Sequence, residues 1–336
     1  MSCNHELAPK RIDYAHKFLI NNFDGYISNK VFRPILTDSR EFHWRLYNTT
    51  NQLKRFNSDI TCQSVAHEVP PLESMLVTAS VKARALRGKI VPCDQDKGCG
   101  DDELPVSEMD VIDDIIERLM IEKEVYALNA LLDSAKYGAN AESFLGNEFN
   151  ISGGAHVTQV LSKKLCDSYK PYNKAVISAD VWCRIKYEPE LLGNINSRGA
   201  ITTQQFAEHF GLDAVYIADS WQDIASYGQP QDIQRLAQNF ILLYHDSDSF
   251  SLNRKKGATF AFEGVYYKPE YSQLLKSYNG SAFYVRKHGV EQEGLYGDNE
   301  FIVAGNESQL IVTDYSLGCL LTDVVDTTIS GVFENY

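Results

Sequence analysis

The sequence predicts an α+β fold, in which helices and strands are mixed without the regular alternation of a doubly wound sheet. Two observations carry this prediction: one long amphipathic helix in the first half, and several short apolar or alternating segments typical of strands. Hydrophobic residues make up 44% and charged residues 23% of the 336 residues, which excludes a disordered or fibrous chain. The sequence contains no apolar run of about 18 residues, so we expect no membrane segment. The polar N-terminus predicts no secretory signal.

The first quarter of the chain predicts extended, irregular structure. Pro34 interrupts the apolar run 31–36, a pattern typical of an arm or an edge strand. Residues 40–47 and 80–87 each alternate polar and apolar side chains, so each predicts a half-exposed strand. Because side chains alternate across a strand, the cations of the second segment are expected on one face.

The strongest local signal is a long helix over residues 107–137. Residues 107–110 (SEMD) resemble a capping box just after Pro105, and apolar residues then recur at spacings of three and four. Gly138 is the predicted stop. Such a helix of about 30 residues would measure about 45 Å, long enough to cross a whole domain.

The C-terminal half predicts short helices mixed with strands. The helix starting at Thr202 has a threonine cap and ends at Gly211. Helices are predicted at 157–168, 179–187 and 202–210, a short strand at 174–178, buried strands at 213–218 and 240–244, further strands at 301–304, 310–313 and 319–325, and a loop at 219–239.

Charge is distributed unevenly along the chain. The net charge is −13, which excludes a globally basic nucleic-acid-binding protein. Residues 1–93 carry 13 basic and 8 acidic side chains, whereas residues 94–124 carry 3 basic and 12 acidic ones. A mildly basic segment therefore precedes a dense acidic block.

The sequence carries few signs of catalysis. Phosphate-binding glycine loops, a G-x-S-x-G elbow and an H-E-x-x-H motif are all missing from it. The seven cysteines are scattered and odd in number, which favours reduced thiols. Cys62, His67, Cys93 and Cys99 could together form a metal site, although the spacing of the last two is wider than in a zinc knuckle. Cys93 and Cys99 could also form a redox pair, so a cytosolic thiol- or metal-dependent enzyme stays an alternative.

The order of these segments resembles the major capsid proteins of tailed bacteriophages, which have the HK97-type fold. The resemblance covers about residues 30–325 and lies in the spacing of the segments rather than in any one of them. They are VFRP (31–34), the acidic capped helix, VWCRI (181–185), EPEL (188–191), the helix 202–210, GLDAVYI (211–217), FILLYHD (240–246) and GCLLTDVV (318–325).

The resemblance implies a set of structural parts. These are an N-terminal arm (1–40), peripheral-domain strands with an extended hairpin loop (41–104), a spine helix with the rest of the peripheral domain (105–149), an axial domain (150–310), and a C-terminal strand returning toward the peripheral domain (311–336).

The resemblance also implies a function. The chain would be a non-catalytic, self-assembling subunit of an icosahedral phage head that encloses double-stranded DNA without sequence-specific binding. It would bind copies of itself in pentamers and hexamers, with a portal and decoration proteins and either a separate scaffolding protein or none, and would need no cofactor. It would lie in the virion after assembly in the host cytoplasm. An encapsulin-like nanocompartment shell is the alternative within the same fold.

The uneven charge predicts where neighbouring subunits meet. Complementary charges fix orientation and register between partners. We therefore expect basic residues of the extended loop to face acidic residues of a neighbour, either just before its spine helix or on that helix. The basic residues are Arg55, Arg84, Arg87 and Lys89, and the acidic ones are Asp101, Asp102 and Glu103.

Overall fold

The computed structural model describes residues 9–47, 74–91, 104–149, 151–168, 170–195, 199–226, 228–247, 259–266, 283–290 and 299–326. The helices in these ranges are α1 (Pro9–Phe23), α2 (Ile27–Val31), α3 (Val106–Leu131), α4 (Ser134–Tyr137), α5 (Val157–Asp167), α6 (Ala179–Ile185), α7 (Pro189–Ile195) and α8 (Thr203–Phe210). Short 3₁₀ turns follow at Gly138–Asn140 and Tyr315–Leu317. Within the same ranges, none of the helices has both the length and the apolar character needed to cross a membrane.

The strands form two five-stranded sheets and two hairpins. The first sheet has the order β1 (Arg33–Thr37), β11 (Ala261–Tyr266), β13 (Asn299–Val312), β12 (Tyr284–Val290), with β4 (Lys82–Lys89) also paired to β13. The second sheet has the order β5 (Ala141–Ser143), β14 (Gly318–Thr322), β10 (Phe240–Tyr244), β6 (Lys174–Ser178), β7 (Ala214–Ala218). The hairpins pair β2 (Glu41–Tyr47) with β3 (Ser74–Ser80), and β8 (Trp221–Asp223) with β9 (Ile233–Arg235). Strands β11, β12 and most of β13 lie within residues 150–310, so this range contributes to both sheets.

The second sheet is buried on both faces. Ile241 and Leu243 of β10 pack with α5, α6, α7 and α8 on one side. Leu242 and Tyr244 pack on the other side against α2 and the end of α3. Alternate residues of a strand point to opposite faces, so a continuous apolar run such as FILLY is required here.

Helix α3 contributes its last turns to the cluster under the second sheet and its first half to a separate cluster with α1, but its ends differ from those predicted. It begins at Val106 with Pro105 as its N-cap residue, so the predicted capping box at 107–110 is wrong. Ser107 is buried in the first turn and the Glu108 carboxylate forms ion pairs instead. The helix ends at Leu131 rather than at residue 137, and a separate turn of helix, α4, follows. Its 26 residues give a length of about 39 Å.

The N-terminal segment is helical where extended structure was predicted. In α1, Ile12, Ala15, Leu19 and Phe23 recur at spacings of three and four and are buried in the cluster that includes the first half of α3. This periodicity gives the helix one apolar face, and packing against α3 stabilises it. The predicted edge strand is confirmed, because β1 with its Pro34 lies at the edge of the first sheet.

Most elements of the C-terminal half match their predictions. Thr202 and Gln205 form a capping box at α8, and Gly211 ends this helix with a φ of 68°. Strands β6 and β10 lie where they were predicted. Strand β7 is half-buried rather than buried because it lies at a sheet edge. Strand β13 is one 14-residue strand where two were predicted, and the predicted loop 219–239 contains the hairpin β8–β9.

Candidate functional site

The β2–β3 hairpin carries exposed apolar side chains beside its last described residue pair, Tyr47 with Ser74. Met75 and Leu76 are 62% and 60% exposed, and as consecutive strand residues they point to opposite faces of the hairpin. Its base is fixed by Phe42, whose ring lies against Phe262 at a centroid distance of 6.0 Å. Gly264 makes this contact possible, since a Cβ atom there would overlap the Phe42 ring.

The β8–β9 hairpin carries a second exposed apolar patch. Trp221, Ile224 and Ile233 are 43%, 48% and 56% exposed. The Arg235 guanidinium stacks on the Trp221 ring at 4.4 Å and forms an ion pair with Asp219 at 3.0 Å. This hairpin forms a separate two-stranded sheet and is inserted in the chain between β7 and β10 of the second sheet. Exposed apolar groups clustered on a projecting element are typical of protein–protein contact sites.

The predicted basic residues divide between two faces of β4. Arg84 lies over the Tyr126 ring of α3 at 4.9 Å and donates to the Ser308 carbonyl oxygen at 3.3 Å, so it is engaged within its own chain. Arg87 and Lys89 lie on the opposite, exposed face, where Arg87 stacks on Phe301 at 4.6 Å. The prediction that the cations share one face is therefore wrong, because Arg84 and Arg87 are an odd number of residues apart. Arg55, Asp101, Asp102 and Glu103 lie outside the described residues.

Helix α3 presents an exposed acidic stripe formed by Asp110, Asp114 and Glu117, in which Asp114 forms an ion pair with Arg118 at 2.9 Å. Asp113, beside this stripe, accepts a hydrogen bond from the Tyr14 hydroxyl at 3.0 Å. Burial, with repulsion from Asp110 and Glu117, raises the pKa of Asp113. Burial and the bond to Asp113 raise the pKa of Tyr14 to about 12. The acids at the start of α3 therefore serve two purposes: some anchor α1 and others face outward.

Glu108 fastens α1 and β12 to the start of α3. Its carboxylate accepts from Arg11 Nε at 2.7 Å and from Lys287 Nζ at 2.9 Å. Burial opposes ionisation, but these bonds and charges prevail and lower the pKa of Glu108. The residue lay inside the motif interpreted as a capping box, and no local pattern indicates partners 97 and 179 positions away.

The described residues offer little for thiol or metal chemistry. They contain no group of three or more His, Cys, Asp or Glu side chains that could hold a metal ion. Cys62, His67, Cys93 and Cys99 lie outside the described residues. An open cavity of about 300 Å³ is lined in part by Lys164, Lys170, Tyr172, Ser316 and Cys319. Burial raises the pKa of the Cys319 thiol to about 11, which leaves little nucleophilic thiolate near neutral pH.

Comparison with solved structures shows that the long helix α3, the two five-stranded sheets and the two hairpins form an HK97-type capsid fold. Neither protein-family models nor curated protein sequences match the chain. The structure is similar to a phage-related protein of Bordetella bronchiseptica RB50, with a TM-score of 0.65 and 13% identity over 95% of this chain and 98% of that one.

Two further solved structures share the fold. One is a protein of an Escherichia coli CFT073 prophage assigned as a capsid protein, with a TM-score of 0.52 and 11% identity over 93% of this chain and 97% of that one. The other is the capsid of a native GTA particle, with a TM-score of 0.50 and 11% identity over 87% and 88% of the two chains. The predicted fold class is therefore confirmed.

Proposed function

We propose that this protein is the self-assembling structural subunit of an icosahedral phage head that encloses packaged double-stranded DNA. The observation that carries the proposal is a fold shared over nearly the full length of both chains with a phage-related protein, and with a prophage protein assigned as a capsid protein. The subunit acts by binding copies of itself in pentamers and hexamers, with no catalysis and no cofactor. Its place is the virion, after assembly in the host cytoplasm.

The exposed apolar side chains of the two hairpins support this proposal. Met75 and Leu76 are exposed on opposite faces of a two-stranded hairpin, and such a hairpin is marginally stable alone in water. Burial of each side chain between neighbouring subunits would contribute about 1.5–3 kcal/mol. The β2–β3 hairpin thus acts as the extended loop that contacts a neighbour, and the β8–β9 hairpin supplies a second contact in the axial domain.

Charged residues on the subunit surface support a defined orientation between neighbouring subunits. Arg87 and Lys89 on the exposed face of β4 bind acidic residues of a neighbour, including the stripe of Asp110, Asp114 and Glu117 on its α3 helix. Exposed ion pairs are worth about 0–1 kcal/mol each, so they set register and association rate more than final stability. The net charge of −13 favours DNA that is enclosed rather than tightly bound. A separate scaffolding protein, a portal and decoration proteins complete the particle.

Sedimentation velocity of the purified protein tests the proposal. The wild type is expected to sediment as capsomers or closed shells. The double variant Met75→Asp, Leu76→Asp should shift the protein to monomers, because it places two charges in the proposed contact. Ser80→Asp adds a charge at an exposed polar position of the same strand and should assemble normally. A wild-type protein that stays monomeric at all concentrations would refute the proposal.

A charge-reversal variant tests the proposed charged contact between β4 of one subunit and α3 of its neighbour. Arg87→Glu with Lys89→Glu should slow assembly while the subunit keeps its melting temperature, since both side chains lie on the exposed face. Adding Asp114→Lys and Glu117→Lys should restore the rate. Unchanged assembly kinetics in the first variant would exclude this charged contact. Arg84 is left unchanged, because it packs within its own subunit.

A further inference from the structure

Two adjacent charged residues are buried in the middle of α3, which is unusual for a helix face that packs on a core. Lys123 is 6% and Glu124 is 0% exposed. The Lys123 ammonium donates to the Glu263 carboxylate on β11 at 2.8 Å and to the Asn29 side-chain oxygen at 3.1 Å. Lys123 therefore connects the spine helix to the first sheet and to α2 at once.

Glu124 makes the matching connection to the second sheet. Its carboxylate accepts from the backbone N–H groups of Ile27 at 2.8 Å and Ser28 at 2.7 Å, at the start of α2. It also accepts from the Ser220 hydroxyl at 2.9 Å. Ser220 lies between β7 and β8, so this carboxylate joins α2 to the chain that carries the second exposed hairpin.

Helix α2 is thus held at a joint between the two sheets. Asn29 contacts the lysine that binds β11, and Ile27 and Ser28 contact the carboxylate that binds the β7–β8 connection. The β2–β3 hairpin is anchored to the first sheet and the β8–β9 hairpin extends from the second. The angle between the two sheets therefore sets the angle between the two apolar patches.

The energetics favour a role in geometry rather than in stability. Buried ion pairs carry a large desolvation penalty, and apolar side chains of similar volume are often as stabilising or more so. Their best-attested contribution is to specify one arrangement among several. In an assembly with head-to-tail contacts, small differences in subunit geometry decide whether and at what size it closes.

We propose that Lys123 and Glu124 act as positioning residues that fix the angle between the two sheets through α2, and thereby set the curvature of the shell. The inference rests on the proposed assembly function and adds a determinant of particle size. The binding partner is a second copy of this chain. Lys123 and Glu124 do not contact that copy but orient the surfaces that do.

The experiment compares particle diameters by electron microscopy. The double variant Lys123→Met, Glu263→Leu removes the buried Lys123–Glu263 ion pair at similar volume, and Ser220→Ala removes a single hydrogen bond to Glu124. Both variants should form particles with a shifted or broadened diameter distribution. The control Glu122→Gln alters a half-exposed carboxylate on the same helix and should keep the wild-type diameter.

The outcomes separate this inference from the proposed function. A wild type without shells refutes both. If the wild type forms shells and the variants form shells of unchanged diameter, only the role of Lys123 and Glu124 in shell curvature is refuted, even if the melting temperatures of the variants fall. If the double variant fails to fold, Ser220→Ala decides, because loss of one hydrogen bond to a carboxylate costs the fold only about 1.5–3 kcal/mol.

Discussion

Replacing Glu108 by Gln should destabilise the subunit by removing the charge that anchors α1 and β12 to α3. Loss of one partner of a fully buried ion pair costs about 3–5 kcal/mol. Here the side chains of Arg11 and Lys287 are 18% and 27% exposed, and Lys287 keeps a second partner, Glu300, at 2.6 Å. Solvent screening and this second partner reduce the expected loss to about 2–3 kcal/mol.

That loss converts into a measurable shift of the melting temperature. Unfolding entropy scales with chain length, and 336 residues give about 0.7 kcal/mol per kelvin. The expected shift in circular dichroism melting near neutral pH is therefore about 3–4 °C. Asp110→Asn, an exposed carboxylate in the same part of α3, should shift it by less than about 1 °C.

The pH dependence of the stability difference between wild type and Glu108→Gln can refute this reasoning. The pKa of Glu108 is lowered in the folded state, so its stabilisation is present above the ordinary pKa of 4.5 and is lost as the pH falls through the folded value. Wild type and Glu108→Gln should therefore converge in stability under acid. Equal melting temperatures near neutral pH, or a difference that persists unchanged into acid, would contradict the reasoning.

Three further predictions concern single side chains. Burial of His16 lowers its pKa from 6.5 to about 4, against a small opposing effect of Asp13. Wild type should therefore lose about 3 kcal/mol through His16 between pH 6.5 and 4, and His16→Leu should remove that part of the pH dependence in urea titrations. Gly264→Ala should displace Phe42 from under the β2–β3 hairpin, which increased proteolysis of the hairpin would reveal. The Cys319 thiol, with its pKa raised to about 11, should react with maleimide far more slowly than the exposed Cys166; equal rates would contradict its burial.

Sequence patterns correctly predicted the elements that are stabilised by residues close to them in the chain. The α8 helix is bounded by Thr202 and Gly211, and both caps act through atoms within a few residues. Strand β10 was recognisable because a continuous apolar run fits a strand buried on both faces. The order and spacing of such segments sufficed to predict the fold class.

Features that depend on distant partners were missed. Helix α1 carries the right periodicity, but its stability comes from packing on α3, about 100 positions away. Lys123 and Glu124 interrupt the apolar stripe of α3, and no local pattern shows that Glu263, Asn29 and Ser220 bind them. The division of the β4 cations between two faces follows from simple strand geometry and could have been predicted.

The measurement that tests the central claim most directly is negative-stain electron microscopy of the purified, overexpressed protein. The account predicts closed icosahedral shells, or pentamers and hexamers on the way to them. Nuclease-protected DNA inside particles isolated from infected cells would identify them as phage heads, whereas a packaged enzyme would indicate a nanocompartment. A uniform population of small monomers or dimers, in which no shells or capsomers form, would contradict the account.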